Sequence, residues 1–365
     1  MAHIRKSTAG RWQVRYRDPS GGERARNFRR KADAERFLVT IEADKVRGTW
    51  TDPRLGRITV AEWVPTWEAS RVHLRPATRA SSESLLRNHV LPYFGELRIG
   101  SVIPTQVQGF VAHLESQGLA ASTIRQTYLL VAGLFASAFE SDLIARTPCR
   151  GIKLPRRSQR EMRFLGAAEV EKLADVIDDR FRALVLTAAF TGCRFGELAG
   201  LRLHRLDLLR RNLTVAETLT DVKGQVRLAP PKTAAARRQI ALPRFLSDEL
   251  ARHLAEWPTE HDGFVFEAPE GGPMRRTNFR RRSWLPAVRA SVGEPLRFHD
   301  MRHSHAAMLI AEGEHPKVIQ ARLGHSSIQV TLDTYGHLFE GLDEAAADRL
   351  DAAYARASEA ANTAV

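Results

Sequence analysis

The first 56 residues alternate between apolar and basic positions in a pattern that predicts a small sheet followed by a helix. Residues 12–17 (Trp-Gln-Val-Arg-Tyr-Arg) follow the two-residue period of a strand. A turn-forming run at 18–22 separates them from a returning strand at 24–28. Apolar residues then recur at helical spacing from Lys31 to Arg47. We therefore expect two or three strands and one helix, followed by a linker from Gly48 to Arg57.

A helical segment comes next, because residues 58–147 show helical spacing and few strand patterns. The predicted helices are Val60–Ser70, Thr78–Tyr93, Thr105–Gln117 and Ser122–Ser141. Ser122 or Thr123 is the expected N-cap of the last helix. One face of that helix carries Ile124, Tyr128, Val131, Leu134, Phe135 and Phe139. The basic stretch from Arg146 to Arg160, with two prolines, predicts an exposed linker between domains.

The pattern is mixed from Arg163 onward, where helical runs surround three strand-like runs. The expected strands are Asn212–Glu217, Gln225–Ala229 and Gln239–Leu242. The expected helices are Ala167–Asp178, Phe181–Phe190, Arg194–Leu201, Ser247–Glu256, Asn278–Arg289, His299–Ala311, Pro316–Leu323 and an Ala-rich tail after Asp343. The apolar stripe of that tail covers either its own domain or a neighbouring copy. The fold class expected is multidomain and mainly α, with small β-sheets.

The charge of the chain favours a polyanionic partner, since the net charge is +13 and the pI is about 10.4. Residues 1–56 carry 14 Lys and Arg against 7 Asp and Glu, which is more than half of the excess. A disordered basic tail is the alternative, but the alternating pattern favours a folded DNA-binding module. Its candidate DNA contacts are Arg15, Arg17, Arg24, Arg26, Arg29 and Arg30.

Other classes of protein are disfavoured. No apolar stretch is long enough to span a bilayer, and the start of the chain lacks the apolar region of a secretory signal. Cys149 and Cys193 lie in unrelated contexts and predict neither a disulfide framework nor a metal knuckle. We expect a cytoplasmic protein that does not interact with a membrane.

The candidate chemistry begins at Arg194. Gly192 breaks one helix, so Arg194 opens the next, where free N–H groups and the helix dipole favour phosphate. A guanidinium there can bind two phosphate oxygens, and Glu197, one turn later, can orient it. The alternative is an ordinary surface Arg–Glu pair.

Three further motifs carry polar residues that suit phosphate chemistry. Lys232 lies in a turn between two strand-like runs, from which it could donate a proton to a leaving oxygen. His299 and Arg302 are three residues apart and so share a helix face, whereas His303 is expected to pack or to cap. His325 lies at a helix stop before Ser326 and Ser327, and Tyr335 follows ten residues later. A C-cap histidine and an amphipathic tyrosine are the alternatives for that last pair. No metal is expected, because no Cys or paired acidic motif accompanies these histidines.

Taken together and in this order, the motifs TGxR, PKT, HxxRH, LGHS and Tyr resemble those of the tyrosine recombinase (phage integrase) family over residues 163–340. The resemblance implies that Arg194 and Arg302 are the two catalytic arginines, with Glu197 in support. It implies that Lys232 is the hairpin lysine and that Tyr335 is the nucleophile. Of the two histidines, His299 would be the acid/base that takes the tyrosine proton, and His325 would hydrogen-bond the phosphate. Residues 1–56 resemble an arm-type DNA-binding domain, 57–150 a SAM-like core-binding domain, and 160–365 a catalytic domain with a tail helix.

The resemblance also implies the activity and its partners. The expected reaction is cofactor-free cleavage and rejoining of double-stranded DNA at attachment sites by a homotetramer, through a 3′-phosphotyrosyl intermediate. A DNA-bending host factor and an excisionase are candidate partners. Two alternatives stay open at this point. They are DNA relaxation of the type IB topoisomerase kind and a non-catalytic DNA-binding regulator of the same fold.

Overall fold

A computed structural model of the chain describes residues 3–7, 10–17, 22–46, 54–156, 162–231, 233–339 and 347–356. The chain divides into two compact units, residues 1–159 and 160–365. The point of division lies within the predicted basic linker. In the described part of the chain, no helix has both the length and the apolar character needed to cross a membrane.

The N-terminal part of the first unit is a three-stranded antiparallel sheet covered by one helix. Strand β1 is His3–Lys6, β2 is Trp12–Arg17, β3 is Glu23–Phe28, and helix α1 is Lys31–Val46. The strand order is β1-β2-β3. Val14 and Tyr16, on alternate positions of β2, are buried together with Ala34 and Ile41 of α1. The predicted strands and helix are therefore confirmed, with three strands rather than two.

The register of this sheet separates the predicted DNA-contact arginines onto two faces. Residues directly opposite each other in an antiparallel pair lie on the same face. Arg24 is opposite Tyr16 and Arg26 is opposite Val14, so both lie on the face that carries α1. The Arg26 guanidinium lies 4.7 Å from the ring centroid of Phe37 in α1.

Arg15 and Arg17 instead lie on the open face of the sheet. Opposite them are Ala25 and Glu23, and across Arg15 on the other side is His3. Arg29 and Arg30 are exposed in the bend between β3 and α1. The open face is therefore basic, but it holds two of the six arginines that the sequence predicted as DNA contacts.

The rest of the first unit is helical. Its helices are α2 (Val60–Ser70), α3 (Pro76–Leu85), α4 (Leu91–Phe94), α5 (Pro104–Ser116) and α6 (Ala121–Glu140). A π turn at Leu86–Val90 joins α3 to α4, so the one helix predicted over 78–93 is interrupted before Pro92, which has no N–H to donate. Helix α2 begins with a reciprocal cap, in which the Thr59 hydroxyl accepts from the Glu62 N–H at 3.1 Å and the Glu62 carboxylate from the Thr59 N–H at 2.7 Å.

Two details of the α6 prediction are wrong. Ala120 occupies the N-cap position, so Ser122 and Thr123 lie inside the first turn. Phe139 is 46% exposed, because Ala138 fills the core at the last turn of this helix. The remaining core positions of the predicted face, from Ile124 to Phe135, are buried or half-buried as expected.

Both predicted linkers contribute to the helical core. Gly56 packs so closely that a Cβ there would lie 2.9 Å from the Leu143 carbonyl oxygen. The Lys153 N–H donates to the Gln108 side chain at 2.9 Å, and the Gln108 amide donates back to the Lys153 carbonyl at 3.1 Å. Residues 54–57 and 146–154 are therefore part of the helical domain, because their backbone and apolar side chains are used in its packing.

The second unit combines a helical core with two small antiparallel sheets. Its helices are α7 (Ala167–Val176), α8 (Arg182–Thr191), α9 (Phe195–Ala199), α10 (Arg244–Glu256), α11 (Arg276–Phe279), α12 (Leu285–Ser291), α13 (Asp300–Ala311), α14 (Pro316–Leu323), α15 (Ile328–Tyr335) and a helix at 347–356. A π turn, Arg280–Trp284, joins α11 to α12. Short 3-10 turns along the chain are Leu55–Arg57, Ile99–Ser101, Asp179–Phe181, Leu203–Arg205, Ala234–Ala236 and Gly336–Phe339. Helix α8 is buried on almost every side and is the central helix of this unit.

The strands of the second unit are β4 (Leu206–Asp207), β5 (Asn212–Val215), β6 (Thr218–Val222), β7 (Gln225–Ala229) and β8 (Arg238–Ala241). One sheet has the order β4-β5-β8, and β6 pairs with β7 as a separate hairpin. The three predicted strands correspond to β5, β7 and β8, while β4 and β6 were not predicted. The two strands that flank position 232, β7 and β8, therefore belong to different sheets and are not the two arms of one hairpin. The fold class expected from the sequence is confirmed.

Candidate active site

Arg194 is presented by the sharp turn between α8 and α9. Gly192 ends α8 with φ of +67°, and a Cβ at this position would lie 2.8 Å from the His305 ring. Only glycine fits both constraints. The turn places Arg194 at the start of α9, where the Glu197 carboxylate accepts from its backbone N–H at 3.0 Å and from its Nη1 at 2.7 Å. The Arg194 side chain remains 40% exposed, so its guanidinium is available to a ligand.

Glu197 is buried between two arginines, one of which was not predicted from the sequence. Its Oε2 accepts from Nη2 of Arg238, the first residue of β8, at 3.0 Å. Burial alone would raise the pKa of Glu197, but Arg238 and Arg194 outweigh it and hold that pKa below its ordinary value. The carboxylate is therefore ionised and engaged on both oxygens.

Arg238 also fixes the neighbouring chain. Its Nε donates to the Arg322 carbonyl at 2.6 Å and its Nη1 to the Ala236 carbonyl at 3.1 Å. Since its side chain is only 6% exposed, nearly every donor is used inside the protein. Arg238 is thus a positioning residue that connects β8, the end of α14 and the Arg194–Glu197 pair.

Arg302 lies on α13 and is 2% exposed. Its Nη1 donates to the Gly192 carbonyl at 2.8 Å and its Nη2 to the Leu323 carbonyl at 2.6 Å. Burial, followed by the charge of Arg194, lowers the pKa of Arg302 to about 10. The guanidinium is still charged at neutral pH, and it joins the Gly192 turn to the end of α14.

Tyr335 is the last residue of α15 and is 1% exposed. Its hydroxyl lies 2.9 Å from Nδ1 of His303. Burial raises the pKa of Tyr335 to about 12, although Arg302 and Arg194 act in the opposite direction. The hydroxyl is therefore protonated at rest and within the field of both arginines.

His303 was expected to pack or to cap, and its ring does pack, but the hydrogen bond of its Nδ1 to the Tyr335 hydroxyl was not predicted. Its ring contacts the Tyr335 ring edge-on, with centroids 5.7 Å apart, and the ring of His299 in the same way at 5.1 Å. Burial is the main cause that lowers the pKa of His303. The imidazole is therefore neutral at pH 7 and able to accept a proton.

The two predicted histidines both lie within the field of Arg194 and Arg302. His299 immediately precedes α13 at the surface, and desolvation, followed by the charges of His303 and Arg302, lowers its pKa. His325 follows Gly324, which ends α14 with φ of +65°. Its Nδ1 lies 2.9 Å from the Thr331 hydroxyl. Burial, then Arg302 and Arg194, lowers the pKa of His325 to about 4.

Five of the six predicted catalytic residues therefore come together around the Gly192 turn, and the sixth, Lys232, lies outside the described residues. The assembled group is cationic because its imidazoles are neutral and its arginines are charged. The Glu197 carboxylate, which orients Arg194, is also paired with Arg238. Such a donor set repels a divalent cation and suits a phosphodiester whose negative charge grows during reaction.

Two other parts of this site, Arg322 and His305, were not predicted from the sequence. Arg322 donates from Nε to Nε2 of His305 at 3.3 Å and from Nη2 to the Phe190 carbonyl at 3.2 Å. His305 is buried, its Nδ1 lies 3.0 Å from the Ala189 carbonyl oxygen, and burial lowers its pKa to about 3. Its only sequence signal is its position in the His-rich run after Arg302.

Comparison with known proteins agrees with this geometry. The model of the phage integrase family matches residues 163–341, that of the phage integrase N-terminal domain residues 2–47, and that of the phage integrase N-terminal SAM-like domain residues 59–114. The ICEBs1 integrase of Bacillus subtilis (strain 168) is 26% identical, with 95% of this chain and 99% of that protein covered. The integrase of Mycobacterium phage L5 is also 26% identical, with 95% and 96% covered.

Solved structures show the same fold. The Tn1549 transposon integrase, in complex with a circular intermediate DNA, is 22% identical and aligns with a TM-score of 0.71 over 80% of this chain and 99% of its own. A lambda integrase dimer bound to a COC′ core site is 16% identical and aligns with a TM-score of 0.60 over 93% and 95%. The three matching domain models, the full-length relatives and the assembled arginine–histidine–tyrosine group lead to one conclusion. This chain belongs to the phage integrase family of tyrosine recombinases.

Proposed function

We propose that Tyr335 is the nucleophile with which this site-specific DNA recombinase cleaves and rejoins DNA. The observation that carries the proposal is the position of its buried hydroxyl within the field of Arg194 and Arg302. A phenol is a weak nucleophile at its ordinary pKa of about 10, and burial makes it weaker still. The arginines around it counteract that effect and would bind the phosphate that it attacks.

The reaction that these residues support is a transesterification. The Tyr335 oxygen forms a bond to phosphorus, and the bond to the 5′ oxygen breaks, which leaves a 3′-phosphotyrosyl link and a 5′-hydroxyl. Arg194 and Arg302 would neutralise the non-bridging oxygens as their charge grows. Lys232 would protonate the leaving oxygen, and His325 would hydrogen-bond the phosphate. The 5′-hydroxyl of a partner strand then reverses the step.

The assembly is proposed from the family and from the charge distribution. Residues 1–56 would bind arm sites, residues 57–150 would bind the core site, and residues 160–365 would cleave it. The open face of the β1-β2-β3 sheet supports the first role, because Arg15 and Arg17 lie on it. A lambda integrase tetramer has been solved on a Holliday junction, which supports a homotetramer here. A DNA-bending host factor and an excisionase remain proposed partners.

The test of the nucleophile is Tyr335→Phe on a nicked core-site substrate that traps the covalent complex. We expect no protein–DNA adduct and nearly unchanged DNA affinity, because the ring still packs and only the hydroxyl is lost. The matched control is Tyr354→Phe, since Tyr354 is 76% exposed in the helix at 347–356. An adduct formed by Tyr335→Phe would refute the assignment. Plasmid relaxation without two-site recombination by the unaltered protein would favour the topoisomerase alternative.

A further inference from the structure

We propose that His303 is the group that receives the proton of Tyr335 during cleavage, an inference that rests on the proposed role of Tyr335. Among the residues that the structure describes, the hydrogen bond observed on the Tyr335 hydroxyl is the one to His303 Nδ1, at 2.9 Å. A general base must lie within about 2.6–3.2 Å of the proton that it abstracts. His303 meets that condition before DNA is bound.

The elements around Tyr335 make this contact specific. Tyr335 ends α15 and His303 lies in the first turn of α13, 32 residues earlier, so the contact depends on the packing of the two helices. Burial is the main cause that lowers the pKa of His303; Asp300 acts in the opposite direction, and Arg297 and Arg302 add to the lowering. The ring is therefore neutral, and its Nδ1 faces the Tyr335 hydroxyl.

The step balances without any further reactant. As the Tyr335 oxygen bonds to phosphorus, its proton moves to Nδ1 of His303, and the leaving 5′ oxygen takes a proton from Lys232. The imidazolium formed at His303 contacts the His299 ring, whose centroid is 5.1 Å away. His303 holds this proton until the reverse step, in which the proton returns to the Tyr335 oxygen as the bond to phosphorus breaks. His299 is exposed and is not the acceptor in this proposal, since the observed hydrogen bond of the Tyr335 hydroxyl is to His303.

The experiment measures the single-turnover cleavage rate of full-length protein on a trapping core-site substrate between pH 7 and pH 9. The variants are His303→Ala, His303→Asn and His299→Asn. Asparagine places an amide near the position of Nδ1, so it can keep the hydrogen bond but cannot take a proton. Thermal melting and DNA affinity of each variant control for folding and binding.

We expect both His303 variants to cleave about 10²–10⁴ times more slowly at pH 7, with DNA affinity unchanged. Their rates should then rise about tenfold per pH unit, because hydroxide must take over from the missing base, while the wild-type rate stays nearly level. If His303→Asn cleaves at the wild-type rate, then His303 only positions the tyrosine and the proposal is overturned. A pH slope in His299→Asn without one in His303→Asn would assign the base to His299. If the unaltered protein forms no adduct through Tyr335, the proposed function itself fails.

A second observation, independent of the first, concerns the cluster of His204, His261 and Asp262. Their ligand atoms all lie within 4.8 Å of one another, and His204 Nδ1 is 3.0 Å from Asp262 Oδ1. The backbone holds the two segments in place, because the His204 N–H donates to the His261 carbonyl and the Leu203 N–H to the Gly263 carbonyl, both at 3.1 Å. We infer that this cluster binds a transition-metal ion such as Zn²⁺, since two imidazoles and a carboxylate are ligands that zinc prefers.

A metal ion bound there would cross-link residue 204 to residues 261–262. The cluster includes none of the residues proposed to cleave DNA. The test is calorimetric titration of the tag-free, full-length protein with Zn²⁺. We expect one binding event that His204→Ala or His261→Ala weakens by at least about tenfold. His73→Ala, which removes an exposed histidine of the first unit, should leave it unchanged. An identical isotherm in His204→Ala and His261→Ala, or no binding by the wild type, would refute the site.

Discussion

Arg238→Met should destabilise the catalytic unit far more than Arg252→Met, although Arg252 has more ion-pair partners. Arg252 contacts Glu249, Glu256 and Asp179 at 2.8, 3.2 and 3.4 Å, but its side chain is 41% exposed. Exposed pairs contribute only about 0.2–1 kcal/mol each, because water and salt screen them.

The buried pair behaves differently. Arg238 and Glu197 have side chains that are 6% and 5% exposed, so removing the guanidinium leaves a carboxylate out of water with one cationic partner fewer. Breaking a buried pair in this way costs about 3–5 kcal/mol. At about 1.4 kcal/mol for each factor of ten, that cost corresponds to two to more than three orders of magnitude in an opening equilibrium.

Hydrogen exchange followed by mass spectrometry can measure this difference locally, in peptides from α8 and β8. Full-length protein contains two compact units, so one global unfolding midpoint would average over both. We expect exchange in these peptides to accelerate by about 10² or more in Arg238→Met and by less than about tenfold in Arg252→Met.

The double variant Arg238→Met with Glu197→Gln sharpens the prediction. It removes the stranded charge, so part of the lost protection should return. Cleavage should not return with it, because Arg194 loses the carboxylate that contacts its Nη1 at 2.7 Å. Equal exchange in the Arg238 and Arg252 variants would refute the argument that burial, and not the number of partners, decides the strength of these pairs.

Four further predictions concern other parts of the molecule. Burial lowers the pKa of His305 to about 3, so its ring is neutral in the folded catalytic unit at neutral pH. The stability that depends on this neutral ring is fully present above about pH 6.5 and is lost as the pH falls toward 3, by about 2–3 kcal/mol at pH 4.5. Hydrogen exchange in α13 peptides should therefore depend less on pH in His305→Asn than in the wild type. Cleavage should persist in excess EDTA, since side-chain cations supply the positive charge; loss on chelation and recovery with Mg²⁺ would contradict the mechanism. Removing residues 1–46, the β1-β2-β3 sheet and α1, should weaken binding to arm sites and reduce its salt dependence, and it should spare core-site cleavage because residues 54–57 stay in the helical domain; gel-shift and trapping assays on the two sites can separate these effects. Deleting residues 341–365 should prevent assembly on paired sites and leave half-site binding intact. Leu350 and Tyr354 in this tail are 72% and 76% exposed, so their apolar side chains are available to a neighbouring copy. Unfolding of the catalytic unit would instead show that the tail packs on its own domain.

Helices of this protein could be predicted well because most of them bury one face. The period of apolar residues gave α2, α5 and α6 to within a residue or two, since each packs one side against the same core. The short strands β4 and β6 were missed because two to five partly polar residues carry too few positions to show a period.

Faces and contacts were harder to predict because they depend on pairing between distant segments. Arg24 and Arg26 are on the helix-covered side of their sheet only because of the register between β2 and β3. His303 lies against Tyr335 because two helices pack together, and no local pattern contains that information. A buried arginine such as Arg238 looks like a surface residue in sequence, since burial is visible only once its carboxylate partner is placed.

The resting site is costly to assemble, and that cost has a chemical use. Burial and Arg194 lower the pKa of Arg302 to about 10, so the folded protein holds this guanidinium less favourably than water would. Burial, and after it the charges of Arg302 and Arg194, also lowers the pKa values of His325 and His299, so both imidazoles are neutral beside the two arginines. A scissile phosphate supplies the missing negative charge, and the transition state supplies more of it than the ground state. The burial and mutual repulsion of Arg194 and Arg302 are unfavourable in the free protein, but their attraction to the phosphate grows with the negative charge that the phosphate gains. The site therefore binds the transition state more tightly than the uncleaved DNA.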